Sequence, residues 1–319
     1  MREALCLGRP KVLCLAGRRI ICWPQQDTAH DDPAMTIYRD FDRAALDAAY
    51  NNTAQVPETA TIIARWTAAG DIVATAPEAR LDIAYGPGPR QSLDLFVPES
   101  DGPVPVFAFI HGGYWQRLNK RPFTCFAPAF LEAGIAYAAI GYPLCPDVRL
   151  TELVESVRQA MEWIGREGAG HGLDPARLHI GGHSAGGHLT AMMMSTDWGA
   201  RGLPGDLIKS GCAISGIYDL EPIRLGALND PVRIDEAEVA ALSPIHHLPA
   251  RAGHLTLCVG GAELPEFLRQ QAEYGAAWHA GGLPLHEISP PGANHFTVID
   301  GLAEPASPLY RAIVEQILR

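Results

Sequence analysis

No stretch of the sequence approaches the roughly 18 consecutive apolar residues that a membrane-spanning helix requires, so a transmembrane anchor is not expected. Basic side chains are in the minority, 25 Lys and Arg against 36 Asp and Glu, for a formal charge of −11. They form no cluster, and without a basic footprint neither nucleic acid nor an anionic membrane is an expected partner. Cysteines are few, seven in 319 residues, and no two make a C-x-x-C pair. An odd, scattered set argues against a disulfide framework or a zinc ribbon and for reduced thiols in a cytoplasmic setting. H-E-x-x-H is missing, and His246-His247 is too little to mark a metal site, so no metal and no cofactor is expected. What remains is an ordinary globular balance, 47% hydrophobic and 19% charged, in a length that suits one large α/β domain. A homodimer is left open.

Residues 1–34 differ from the rest. They hold three of the cysteines (Cys6, Cys14, Cys22) and five basic residues (Arg2, Arg9, Lys11, Arg18, Arg19). The apolar run from Val12 to Ala16 is cut by Gly17-Arg18-Arg19, too soon for the apolar core of a signal peptide. The segment reads as a disordered tail, or as translation begun upstream of a natural start at Met35. The working domain is expected over 35–319.

Beyond it, apolar periodicity predicts helices over 38–50 and 59–69, separated by the breaker region 51–57. Strands are expected at 93–97, 104–110, 135–140, 177–181, 208–214, 255–260 and 285–289. Helices are expected at 123–132, 151–166, 184–194, 265–280 and 308–318. The 104–110 run is almost wholly apolar, as a strand buried on both faces should be. Strands alternating with helices specify a mostly parallel sheet covered on both sides. Residues 218–250 read as irregular and as a candidate cap.

Three motifs carry chemistry. Gly182-His183-Ser184-Ala185-Gly186 matches G-x-S-x-G and falls between a predicted strand and a predicted helix, the context of a nucleophile elbow. Small flanking residues allow the sharp turn that lifts the serine above the sheet. His111-Gly112-Gly113-Tyr114-Trp115 follows the buried strand, where a glycine amide from Gly112 or Gly113 can join that of Ala185 in binding an oxyanion. The base must follow the nucleophile in chain order. His188, His279 and His286 fall within predicted elements, and His246-His247 in the irregular segment. His295 sits in the loop Pro290-Pro291-Gly292-Ala293-Asn294-His295-Phe296 past the last strand, free to swing over the sheet's carboxyl edge. The acid is expected at Glu263, after the 255–260 strand, with Asp219 and Glu266 as alternatives. Tyr114, Trp115 and Tyr218 are candidate aromatic walls for a planar substrate.

Together His111-Gly-Gly-Tyr-Trp-Gln116, Gly182-His-Ser-Ala-Gly186, Ser215-Gly-Ile-Tyr-Asp-Leu-Glu-Pro222 and Asn294-His-Phe resemble the kynurenine formamidase (arylformamidase) branch of the α/β-hydrolase superfamily, over roughly residues 36–319. Tyr114 stands where hormone-sensitive-lipase-like esterases usually carry a third glycine. Glu263 departs from the animal enzymes, which carry Asp there. The resemblance implies an α/β-hydrolase fold and a serine hydrolase that cleaves an N-formyl arylamine, typically N-formylkynurenine to kynurenine and formate. A carboxylesterase of broad acyl scope would use the same residues. A non-catalytic binding protein on this fold would usually lack one of them.

Overall fold

The computed structural model describes residues 35–319, together with the backbone of a hairpin in which β1 (Lys11–Leu15) pairs antiparallel with β2 (Arg18–Cys22). The expectations for residues 1–34 otherwise lie outside the described residues.

The domain from Ile37 onward is built on an eight-stranded sheet. Its strands are β3 (Ala79–Ala84), β4 (Ser92–Phe96), β5 (Val104–Ile110), β6 (Ala136–Ile140), β7 (Leu173–His183), β8 (Ile208–Ile214), β9 (His254–Cys258) and β10 (Leu285–Ile288). They lie in the order β10-β9-β8-β7-β5-β6-β4-β3. The six from β5 to β10 are mutually parallel, and β4 and β3 are antiparallel at one edge. This is the mostly parallel, two-sided sheet that the alternation of elements predicts. Only β3 escaped the sequence pattern. It is largely exposed, and Asp82, at a φ of 55°, breaks its register between Arg80 and Ile83, so no period of two survives to be read.

β5 shows how sequence fixes the two layers. Val104, Val106, Ala108 and Ile110 face one side, with Leu153 and Val154 of α5 (Leu150–Glu167) and Leu189 of α6 (Ala185–Met194). Phe107 and Phe109 face the other, in an aromatic layer with Trp66, Phe123, Phe126 and Phe130; the Phe107 and Phe130 rings stack at 4.7 Å. That second side is covered by α3 (Thr59–Val73), α4 (Ala127–Glu132) and α11 (Pro308–Leu318). Every residue of β5 is buried, which explains its unbroken apolar run.

Two expectations need correction. The first helix, α1 (Arg43–Ala49), starts later than 38, because the Asp42 side chain caps the Ala45 amide and Tyr38 pairs with Phe41 in a tight turn. Residues 218–250 are not irregular. They hold α7 (Glu221–Leu225), α8 (Asn229–Val232) and α9 (Glu236–Leu242), each too short to show a helical period. Between α1 and α3 lies one turn, α2 (Asn52–Gln55). The last long helix before β10 is α10 (Pro265–Ala280).

Strand order reverses between β7 and β5, whose following chains leave in opposite directions. That switch point opens a crevice at the strands' carboxyl ends, where open α/β sheets bind ligands. It sets His111 after β5 beside Ser184 after β7.

Four of the buried histidines, His111, His179, His183 and His188, lie in this sheet, the turn after β5 and α6. Burial pushes His111 down to about 3, His179 and His188 down to about 4, and His183 well below the ordinary value. Unfolding in mild acid therefore takes up protons that the folded chain refuses. Their stabilising effect is full above about pH 6.5 and is lost as pH falls toward the folded values, by about 1.4 kcal/mol per histidine per pH unit. Urea unfolding between pH 7 and 5 should show this steep loss. A flat profile would contradict the neutral buried state of these rings.

Candidate active site

The elbow is tight enough to dictate its own sequence. Ser184 sits at φ 58°, ψ −117°, in the region L-residues rarely occupy, and its amide is tied to Ile214 O at 2.8 Å. A Cβ at Gly182 would collide with the backbone of Gly186, and one at Gly186 with the Ile110 carbonyl. Both flanking positions therefore have to be glycine. Ser184 is 3% exposed and stands directly before α6, whose first amide, that of Ala185, has no partner within the helix.

The loop after β5 presses against this turn. A Cβ on Gly112 would lie 2.8 Å from His183 O and 3.2 Å from the Ser184 Cβ, so the Gly112 backbone abuts the nucleophile candidate. Gly113 has a φ of 115° and no room for a side chain against the Arg117 carbonyl. Among the described residues, the amides of Gly112 and Gly113 donate no hydrogen bond. Tyr114 and Trp115 also have positive φ, at 49° and 59°. Neighbouring bonds hold the strained run: Tyr114 OH donates to Tyr50 O (2.7 Å), Trp115 Nε1 to His188 Nδ1 (3.1 Å), and Cys145 N to Trp115 O (2.9 Å). His188 passes its own Nε2 proton to Leu242 O at 2.7 Å, so both ring nitrogens are engaged in this lock.

His295 lies 2.7 Å through Nδ1 from Glu263 Oε2. The other carboxylate oxygen accepts from Ser215 Oγ at 2.5 Å and from Gly260 N at 2.7 Å. Glu263 is thus buried with three donors, which satisfies its charge without solvent. The two alternative acids are engaged elsewhere. Asp219 accepts from Tyr38 OH (2.9 Å), and Glu266 pairs with Arg269 and Tyr50 OH. His183 supports the same loop from below, its Nε2 donating to His295 O at 2.7 Å. Burial keeps His183 neutral, so one ring nitrogen always carries the proton that this bond requires.

Ser184, His183 and His295 open on one cavity of about 300 Å³. Its apolar lining comes from Pro57, Ala60, Ile63, Trp66, Tyr114, Leu118, Phe123 and Phe296, with Asn52, Thr53, Thr59, Gly113 and Arg117 completing the walls. Of the three aromatic walls expected, the structure brings only Tyr114 to the cavity. Trp115 is wholly buried in the loop lock, and Tyr218 is wholly buried against Tyr274, rings stacked at 4.2 Å. The expected cap is also corrected. Residues 218–250 contribute nothing to this cavity; Ala227, Leu228 and Pro231 line an adjoining one. The cover is instead α2 and the first half of α3, held down by Gln55 Nε2 to Ala262 O (3.0 Å) and Trp66 Nε1 to Asp300 Oδ1 (2.7 Å).

Ser215 and His183 are the residues that sequence reasoning missed as parts of the site. Ser215 was legible only as a member of the quoted Ser215-to-Pro222 stretch. Its position at the end of β8, at a φ of 50°, is what aims it at Glu263. Among the described residues no group of three His, Cys, Asp or Glu converges as metal ligands, and no helix is long and apolar enough to cross a membrane.

The BD-FAE family profile matches residues 93–208. Kynurenine formamidase of Danio rerio is 30% identical over 243 residues, covering 74% of this chain and 81% of that protein. The Salmo salar kynurenine formamidase is 31% identical, covering 70% and 77%. A solved structure of a candidate thioesterase from Silicibacter sp. TM1040 superposes with a TM-score of 0.73 at 35% identity, covering 84% of this chain and 98% of that one. The sheet order, the elbow and the extent of these matches agree: the chain belongs to the kynurenine formamidase family of α/β-hydrolases, hydrolases of small acyl substrates.

Proposed function

We propose that this protein is a serine hydrolase that removes the formyl group from an N-formyl arylamine, with N-formylkynurenine, giving kynurenine and formate, as the leading substrate. The observation that carries the reading is that His295, 2.7 Å from Glu263, lines the same cavity as the strained Ser184. The sequence kinship to kynurenine formamidases supports the formamide in particular.

In this reading Ser184 Oγ attacks the formyl carbon as its proton passes to His295 Nε2. Glu263 holds the imidazole tautomer and stabilises the imidazolium that forms, without taking the proton itself. The oxyanion is received by the amides of Ala185 and of Gly112 or Gly113. His295 then gives its proton to the departing aryl nitrogen as the C–N bond breaks. Water, deprotonated by the same imidazole, releases formate from the formyl-serine. The apolar, aromatic-walled cavity suits a planar ring attached to a small acyl group.

The second reading, a carboxylesterase of broad acyl scope, shares every step up to the leaving atom. Steady-state kcat/KM on N-formylkynurenine against p-nitrophenyl acetate and butyrate separates the two. The formamidase reading expects the formamide to lead, and fast ester turnover beside negligible formamide turnover would remove it. Ser184→Ala should lower kcat by about 10³-fold or more with an unchanged thermal midpoint; a fully active variant would sink the nucleophile assignment. Ser215→Ala takes one donor from a buried carboxylate, an interaction worth about 1.5–3 kcal/mol. It should lower kcat by about tenfold or more with little change in KM. Wild-type kcat would show that Ser215 does not position the acid.

A further inference from the structure

Charge around the cavity is unevenly placed. Arg117 is the one Lys, Arg, Asp or Glu lining it. Most arginines of the domain are spent in ion pairs or on carbonyls, such as Arg269 with Glu266 and Glu273, Arg149 with Asp235 and Glu238, and Arg90 on Tyr142 O and Leu118 O. Among the described residues the Arg117 guanidinium has neither a hydrogen-bond nor an ion-pair partner, although its backbone is pinned, Arg117 N donating to Gly113 O at 3.0 Å. The same residue lines the adjoining cavity, which shares Asn52, Thr53, Tyr114 and Arg117 with the first. The one acid in either wall, Asp47, is already engaged by Arg43 and by the Ala227 amide. A free cation thus stands at the boundary between the reacting cavity and its annex, on a chain that carries a net charge of −11 and would otherwise repel anions.

We infer that Arg117 is a specificity residue that pairs with a carboxylate of the substrate, such as the one N-formylkynurenine carries apart from its scissile formyl group. The reacting group would enter the Ser184 cavity while the carboxylate reaches the shared wall, where the planar fork of a guanidinium matches it in two parallel hydrogen bonds. Uncharged neighbours on that wall, Asn52, Thr53 and Tyr114, leave the pairing uncontested by another charge. The inference rests on the hydrolase reading of the site but not on the choice between formamide and ester.

The test uses matched substrates in both chemistries: 2-formamidobenzoate against formanilide, and 4-acetoxybenzoate against phenyl acetate. In the wild type the carboxylate member of at least one pair should have the higher kcat/KM, with the advantage shrinking as NaCl is raised. Arg117→Gln should cut the charged-to-neutral ratio by about tenfold, chiefly through KM, and Arg117→Lys should restore part of it. A ratio unmoved by Arg117→Gln overturns the inference. Should no substrate turn over, the hydrolase reading fails separately. Calorimetric titration of Ser184→Ala with 2-formamidobenzoate, with and without Arg117→Gln, then still reads the anion contact, and equal affinities would refute it.

Discussion

Everything at this site depends on one buried carboxylate. Glu263 is closed off from water and satisfied by three groups from three separate parts of the chain: Ser215 past β8, Gly260 past β9, and His295 in the loop past β10. A carboxylate so placed would be costly to bury alone. With donors supplied from three strand ends it becomes a tie between neighbouring strands and fixes the direction of the imidazole. His183 adds a second tie, from the residue before Ser184 to the carbonyl of His295. The Ser184 turn and the histidine loop are thereby positioned by the same small network.

The β5 side of the crevice is held by a different device. Gly113, Tyr114 and Trp115 all have positive φ, and at Tyr114 and Trp115 that geometry stores strain that a free loop would release. Indole, imidazole and phenol side chains pin them to α6, to the Leu242 carbonyl and to the end of α1. Large aromatic residues beside a glycine pair therefore serve the backbone's geometry more than the cavity's surface. Tyr114 does both, and Trp115 only the first.

This division explains what could be read in advance. The buried strands were legible because a strand covered on both faces must be apolar throughout, and β5 and β8 were placed to the residue. The elbow was legible because its close backbone approach tolerates nothing larger than glycine, a constraint that writes itself into the sequence. The Glu263–His295 contact followed from chain order and strand ends. Trp115 and Tyr218 read as cavity walls because an aromatic in a site loop looks the same whether it faces the ligand or the core; only packing distinguishes them. The cover over Ser184 was missed for a related reason. Asn52 to Trp66 reads as an ordinary short helix and its breaker, and nothing local states that distant contacts to Ala262 and Asp300 fold it over the sheet's carboxyl edge.

We propose that the tie between Glu263 and His295 makes Ser184 a nucleophile rather than a buried hydroxyl on a strained turn. Intact-protein mass spectrometry after a brief exposure to an alkyl fluorophosphonate tests this directly, with peptide mapping to locate the label. A single adduct on Ser184 is expected in the wild type, with labelling slowed by orders of magnitude in folded His295→Ala and Glu263→Ala variants. Rapid labelling of Ser184 in both variants, or an adduct on any other residue in its place, would contradict it.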